Sequence, residues 1–487
     1  MTYRIGENLG VIERPADNDA VVRGLSESIG GPLGAHAAEP RRAFWTPVRV
    51  VLALAVLLLA AHWVQKSPCQ DGAWAELEQY TKFCYTDVLA LYYGEGLNEG
   101  KVPYRDHPVE YPVLTGYFMG ALGLPVHALG SASEGGLNEG QWFYNLNALV
   151  LSVLAVATVG AILAMRRARP WDAAMVALAP GVFVSATVNW DFLVIALTAF
   201  ALLAWSRRLP WLAGILLGLA VAAKFYPLFL IGPLFLLGLR SKRLESVAIA
   251  FGTAAITWTA VNAPVAVLWP DSWQRFFSFS SERGIDWGTL WYVGVHFPGG
   301  DQPGFALFHW LGAEPSRLNA AWTALFAACC AAIAVLSVVA PRRPRLAQLV
   351  FLVIACFLLV NKVWSQQFVL WLIPLAVLAR PRWGAFLAWQ VAEVGYFLAF
   401  YGQLLMASGK EVFPEWVFIL ASLGRMTTVL VLVLLVAREV LRPELDVVRA
   451  RGADDPDGGV FDGAQDAGWV DRLQRWLAGG DERLRPA

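Results

Sequence analysis

Charge is what this chain has least of: Asp, Glu, Lys and Arg supply 16% of its 487 residues, against 57% for the hydrophobic types. Soluble domains carry roughly a quarter charged residues, so a chain so poor in charge, with repeated apolar runs, is a polytopic helical membrane protein. Its net charge is zero, which removes the basic surplus a nucleic-acid partner would require. It lacks a Walker A sequence and a G-x-G-x-x-G after a strand, so no nucleotide-phosphate loop is expected. Cysteine is scarce and forms no C-x-x-C pair or His-associated cluster, so no metal is expected. Cys329, Cys330 and Cys356 fall inside apolar runs as inert core residues, whereas Cys69 and Cys84 are expected to form a disulfide in an oxidising compartment. A cleavable leader is also missing: the first apolar run follows some forty polar residues and is flanked by Arg41, Arg42 and Arg49, which reads as a retained anchor.

Aromatic residues, by contrast, are plentiful, with 22 Trp, as wide interfacial belts require. The pattern predicts an all-α bundle of about twelve transmembrane helices, near 44–64, 141–165, 172–188, 191–206, 210–223, 227–239, 245–268, 318–340, 346–361, 368–379, 383–402 and 415–437. Two long extracytoplasmic loops, 65–140 and 269–317, interrupt this 44–437 body, with a helical stretch near 73–97 in the first. Residues 1–43 read as a disordered N-terminus, and 438–487 as a loose tail that includes Asp455-Pro456-Asp457. Arg166-Arg167, Arg207-Arg208, Arg240 to Arg243, Arg342-Arg343 and Arg380 to Arg382 all fall on one side of this topology. The positive-inside rule makes that side cytoplasmic, with both termini, in a plasma membrane. Residues 111–129 would reverse the later loops if they crossed; with Pro112, Gly116, Gly120, Gly123 and Pro125 they read as re-entrant or interfacial. Several spans are shorter than a full crossing, so Lys224 and Lys362 at their ends should lie below the surface in a protein-lined cavity.

The opposite side gathers four polar clusters: the loop around Asp87, Asn189-Trp190-Asp191, Lys224 to Pro227, and Asn361 to Gln367. Charged residues at membrane depth mark sites more often than not. Asp87 suits a general base that takes a proton from an acceptor hydroxyl, or a helix cap. Lys224 and Lys362 suit a lipid-anchored phosphate, or snorkelling to the interface. Tyr92 with Asp87, and Tyr104, Arg105, Glu110 and Tyr111 in the segment downstream, suit a polyhydroxyl ligand or a rigid turn. Asn189, Asp191, Tyr226, Gln366 and Gln367 are further substrate-binding candidates. Glu393 and Arg425, midway along their spans, read as a structural ion pair.

Together the clusters resemble glycosyltransferase family 87, of the polyprenol-phosphate-sugar-dependent GT-C type. The resemblance rests on Thr86 to Tyr92, Gly100 to Tyr104, Glu110 to Leu114, Asn189 to Asp191, Gly214 to Pro227 and Lys362 to Gln367. This chain has Tyr-Pro-Val at 111–113 where many relatives have Tyr-Pro-Pro, and Asn-Trp-Asp at 189–191 where others have Gly-Gln. The resemblance implies transfer of a sugar, most often mannose and in related actinobacterial enzymes arabinofuranose, from a polyprenyl-phosphate donor. The acceptor would be an envelope glycan or glycolipid, the displacement inverting, with Asp87 as base and Lys224 and Lys362 at the phosphate. No cofactor or metal is implied. A transporter or flippase of lipid-linked sugars, and a non-catalytic envelope-assembly partner, are the other readings the residues allow.

Overall fold

The computed structural model describes residues 12–31, 44–133, 136–300, 303–450 and 452–482. Among them β pairing is confined to an isolated bridge between Pro103 and His107; the regular structure is helical. The helices are α1 (Ala20–Gly30), α2 (Pro47–Lys66), α3 (Glu78–Thr81), α4 (Asp87–Gly94), α5 (Val113–Ala132), α6 (Glu139–Met165), α7 (Ala174–Ala177) and α8 (Pro180–Ser185). Then follow α9 (Asp191–Ser206), α10 (Pro210–Ala223), α11 (Ile231–Ser241), α12 (Leu244–Leu268), α13 (Pro270–Glu282), α14 (Leu290–His296), α15 (Ala306–Gly312) and α16 (Pro315–Val339). The last are α17 (Leu346–Val360), α18 (Val369–Ala379), α19 (Trp383–Ala407), α20 (Glu415–Leu441) and α21 (Gly468–Glu482).

This is an all-α polytopic membrane fold. Helices α2, α5, α6, α12, α16 and α20 are long and apolar enough to cross a bilayer, while α9, α10, α17 and α18 are shorter apolar helices. Local chemistry sets the ends: Thr46 caps α2 ahead of Pro47, and the Asn138 side chain accepts from Gln141 N–H at the start of α6. Close packing of α10 on α12 depends on Gly214 and Gly218, because a Cβ at either would strike the carbonyl of Ala250 or Ala254.

The structure departs from the sequence reading in four places. The span expected at 172–188 is not one helix: Pro170 and Pro180 break it into a 3₁₀ turn, α7 and α8. The expected helix over 73–97 is likewise divided, with α3 and α4 separated by the segment that holds Cys84, which is disulfide-bonded to Cys69. Within the segment read as disordered, residues 12–31 carry α1; its Asp19 accepts from Trp383 N–H at 2.8 Å, and Glu13 pairs with Arg169. Residues 1–11 and 32–43 lie outside the described part.

The C-terminal tail is the largest correction. It folds back over the arginine end of the bundle, and its carboxylates take up the arginines there. Asp446 bonds Arg345 at 2.6 Å, Asp454 bonds Arg343 at 2.8 Å, Asp457 bonds Arg166 at 2.8 Å and Asp466 bonds Arg240 at 2.8 Å. Asp455 accepts the Leu346 N–H at 2.8 Å, which caps α17. So many guanidinium groups crowded at helix ends need acids, and the tail supplies them. Arg345 is fully buried. Asp446→Ala should therefore destabilise the protein by about 3–5 kcal/mol, the cost of stranding a buried charge. Thermal unfolding in detergent checks this; a loss under about 1 kcal/mol, as for an exposed pair, would show the tail to be only loosely held.

Helix α5 is long enough to cross but does not traverse the bundle. Near its start, Thr115 Oγ1 donates to the carbonyl of Ala223 at the end of α10, at 2.6 Å. Near its end, His127 faces Glu139 at the start of α6, at 3.4 Å. Both ends thus sit at the same end of the bundle, opposite the arginines. That end also carries the cavity described next.

Candidate active site

Thr86 caps α4: its Oγ1 accepts the Val88 N–H at 3.2 Å, which makes Asp87 the first helical residue. The same hydroxyl donates to the Thr187 carbonyl at 2.7 Å, and Asp87 N–H bonds the Val188 carbonyl at 2.7 Å. These bonds dock the base of α4 onto the segment that carries Asn189. The Asn189 amide then spends one N–H on Asp87 Oδ2 at 2.8 Å and the other on Tyr111 Oη at 2.7 Å. Gln367 Nε2 reaches Asp87 Oδ2 at 3.3 Å. Two chain segments distant in sequence, at 188–189 and 367, thus converge on one acid. Burial pushes Asp87 above the usual aspartate range, and the bond from Asn189 opposes that rise.

Asp87 lines a cavity of about 920 Å³. Its lining includes the polar residues Glu110, Tyr111, Asn189, Lys362, Gln366 and Gln367, and an aromatic cluster in which Phe229, Trp322, Phe326 and Phe357 pack on one another. Glu110 is also raised by burial. Such a chamber fits an amphipathic ligand, its polar head by the carboxylate and its apolar tail along the rings.

The two lysines differ. Lys224 follows α10 and is neutralised from below: its Nζ bonds Asp191 Oδ1 at 2.6 Å, the oxygen that also accepts from Trp371 Nε1 at 2.6 Å. Asp191 is fully buried behind the wall, so it orients Lys224 and Trp371 and does not face the cavity. Trp371 in turn stacks on Tyr226, ring centroids 4.3 Å apart. Lys362, in the loop after α17, has no acidic partner among the described residues and donates to the carbonyls of Ser281 and Arg283. Burial, assisted by nearby Arg283, lowers it to about 8.

Most candidates from the sequence line the cavity: Asp87, Glu110, Tyr111, Asn189, Lys224, Tyr226, Lys362, Gln366 and Gln367. Three do not. Tyr92 is buried, bonds Glu139 at 2.7 Å and stacks on Phe143. Tyr104 is buried beneath α5, and its hydroxyl donates to the Tyr111 and Pro112 carbonyls at 3.0 and 2.9 Å. It is a strut that shapes the Tyr111 turn. Arg105 is exposed and paired with its neighbour Asp106 at 2.8 Å. Conversely, Tyr85, Arg283 and Asp286 were missed and do line the cavity; Arg283 and Asp286 pair at 3.3 Å. The signal for the latter two was a charged pair, Arg283 and Asp286, in an otherwise aromatic loop.

Beneath the Lys362 loop, Arg425 on α20 is bonded to Glu393 on α19 at 3.1 Å, the ion pair expected from the sequence. Arg425 also donates to the Trp364 and Ser365 carbonyls at 3.0 and 3.1 Å, so it holds that loop from below.

The chain is similar to known proteins in two respects. Residues 140–361 match the model of glycosyltransferase family 87. Among solved structures, the archaeal oligosaccharyltransferase AglB from Archaeoglobus fulgidus, in complex with an inhibitory peptide and a dolichol-phosphate, is similar over 82% of this chain, with 14% identity and a TM-score of 0.38. The match spans 56% of that longer chain. No curated protein matches.

Proposed function

We propose that this chain is a membrane glycosyltransferase of family 87, whose model matches residues 140–361, and that it moves a sugar, mannose in the first instance, from a polyprenyl-phosphate donor to an envelope glycolipid or glycan. The observation that carries this reading is one cavity lined both by a buried carboxylate with cations and by a cluster of aromatic rings. A lipid monophosphate donor pairs the same two chemistries, a charged head and an apolar tail.

In this reading Asp87 takes the proton of an acceptor hydroxyl, whose oxygen attacks the anomeric carbon as the carbon–oxygen bond to phosphate breaks. The electron pair leaves on the polyprenyl phosphate, and the configuration inverts. Lys362 is the main phosphate partner, because its ammonium carries no acid partner of its own. Arg283, which shares its charge with Asp286, and Lys224, which shares its charge with Asp191, come second. Asn189 and Gln367 hold Asp87 in place, and Glu110 and Tyr111 are positioned to bond sugar hydroxyls. The chemistry requires no cofactor or metal, since lysine and arginine meet the leaving phosphate. The arginine end would face the cytoplasm and the cavity the outside of a plasma membrane.

The test is transfer by the purified protein in lipid, with labelled polyprenyl-phosphate mannose and arabinofuranose against a panel of envelope acceptors. Product from one donor supports the reading. Donor movement between leaflets without product would favour a flippase, and no binding of either donor would overturn it.

A further inference from the structure

The last two turns of α2 carry three polar side chains that all reach into the segments presenting Asp87 and Asn189. Lys66 Nζ donates to the Tyr85 carbonyl at 3.1 Å and the Phe83 carbonyl at 3.4 Å. Gln65 donates to the Phe83 carbonyl at 2.7 Å. One turn earlier, the His62 ring contacts the Phe183 carbonyl and the Thr187 hydroxyl, the latter at 2.8 Å. The two segments are in turn joined by the bond from Thr86 to Thr187, and the Cys69–Cys84 disulfide closes the same corner.

Lys66 is the unusual member. It is 1% exposed, yet among the described residues no carboxylate lies within ion-pair distance of it. Two carbonyls solvate its protons but leave its charge unbalanced, a costly state for a buried ammonium. Asp87 is the acid whose field reaches it. Among the other groups facing Asp87, Tyr85 and Tyr111 carry no charge and Glu110 is itself acidic; Lys224 is the cation on its far side, its field opposed by that of its partner Asp191.

We infer that Lys66 is a positioning residue for Asp87: its ammonium pins the Phe83–Tyr85 turn to the end of α2 and, beside Lys224, adds a second countercharge to the Asp87 carboxylate. The inference rests on the reading of Asp87 as the base only for its catalytic meaning; the electrostatic coupling can be measured without any sugar donor.

The probe is dicyclohexylcarbodiimide, which modifies protonated carboxyls in apolar surroundings. The full-length protein in lipid nanodiscs is treated across a pH series, and modification of Asp87 is read by peptide mass spectrometry, with Glu110 as the internal comparison. In Lys66→Gln, which keeps a hydrogen-bond donor but not the charge, the midpoint for Asp87 should rise by about one pH unit, a tenfold change in its protonation. Lys66→Arg should leave it near the wild-type value. Equal midpoints in all three proteins would overturn the inference. Should Lys66→Gln not fold, the double variant Lys66→Gln/Asp87→Asn decides: recovery of a folded protein supports the coupling, and failure to recover it counts against. Transfer that persists in Asp87→Asn would instead sink the base assignment and leave the midpoint result standing.

Discussion

Asp87→Asn is expected to lower sugar transfer by about 10²–10⁴-fold, the usual worth of a general base, while the protein folds at least as well as the wild type. The amide can still accept from Asn189 and Gln367 through its oxygen, so the local hydrogen bonds survive. Stability should not suffer, for a reason of sign. Burial holds Asp87 above the ordinary aspartate range, so its ionised form is disfavoured in the folded protein. Its contribution to stability is present at low pH and is lost as pH rises through the raised folded value. A neutral amide removes that loss. Activity runs the other way: the base works only when ionised, so transfer should climb as pH rises through the same value. At the alkaline end Lys362 sets the limit, since its charge fades above about 8 and the phosphate partner goes with it. The free-enzyme profile of kcat/KM should therefore be a bell with its alkaline limb near that pH. Thermal unfolding and a pH–rate series on the same two proteins check both halves. Full activity in Asp87→Asn would remove the carboxylate from the mechanism.

The parts of this architecture legible in the sequence were those written in hydropathy and sidedness. The arginine clusters and the four polar clusters do lie at opposite ends of the bundle, because each follows an apolar run whose length the sequence states. Asp87, Asn189, Lys224, Lys362 and Gln367 could be grouped in advance for that reason. Side-chain direction was not legible. Tyr104 and Arg105 are neighbours in a charged, aromatic turn, yet one is buried under α5 and the other faces outward, a difference set by tertiary packing. Arg283 escaped notice because it lies far along the chain from the other cluster residues and reaches the cavity only through the fold of a long loop. The tail was misread for a related reason. Its aspartates look like a solvated charge run until four distant arginines, Arg166, Arg240, Arg343 and Arg345, are brought beneath them.

Arg425→Met should produce the second large effect, and a double variant separates its two roles. Arg425 is fully buried, with its guanidinium 4.1 Å from the Trp364 ring and 4.2 Å from the Tyr396 ring. Methionine fills much of that slot but strands Glu393, leaving it the Trp389 bond at 2.8 Å alone. Breaking such a buried pair costs about 3–5 kcal/mol, so thermal unfolding should fall sharply and transfer with it. Adding Glu393→Gln removes the stranded charge and should restore a good part of the stability. It should not restore transfer, because the Trp364 and Ser365 carbonyls still lack the two donors that fix the loop between Lys362 and Gln367. A double variant that recovers both properties would reduce Arg425 to half of an ion pair. One that recovers stability alone would place the pair where its geometry puts it, as the support on which the phosphate-binding lysine and the glutamine beside Asp87 are held in register.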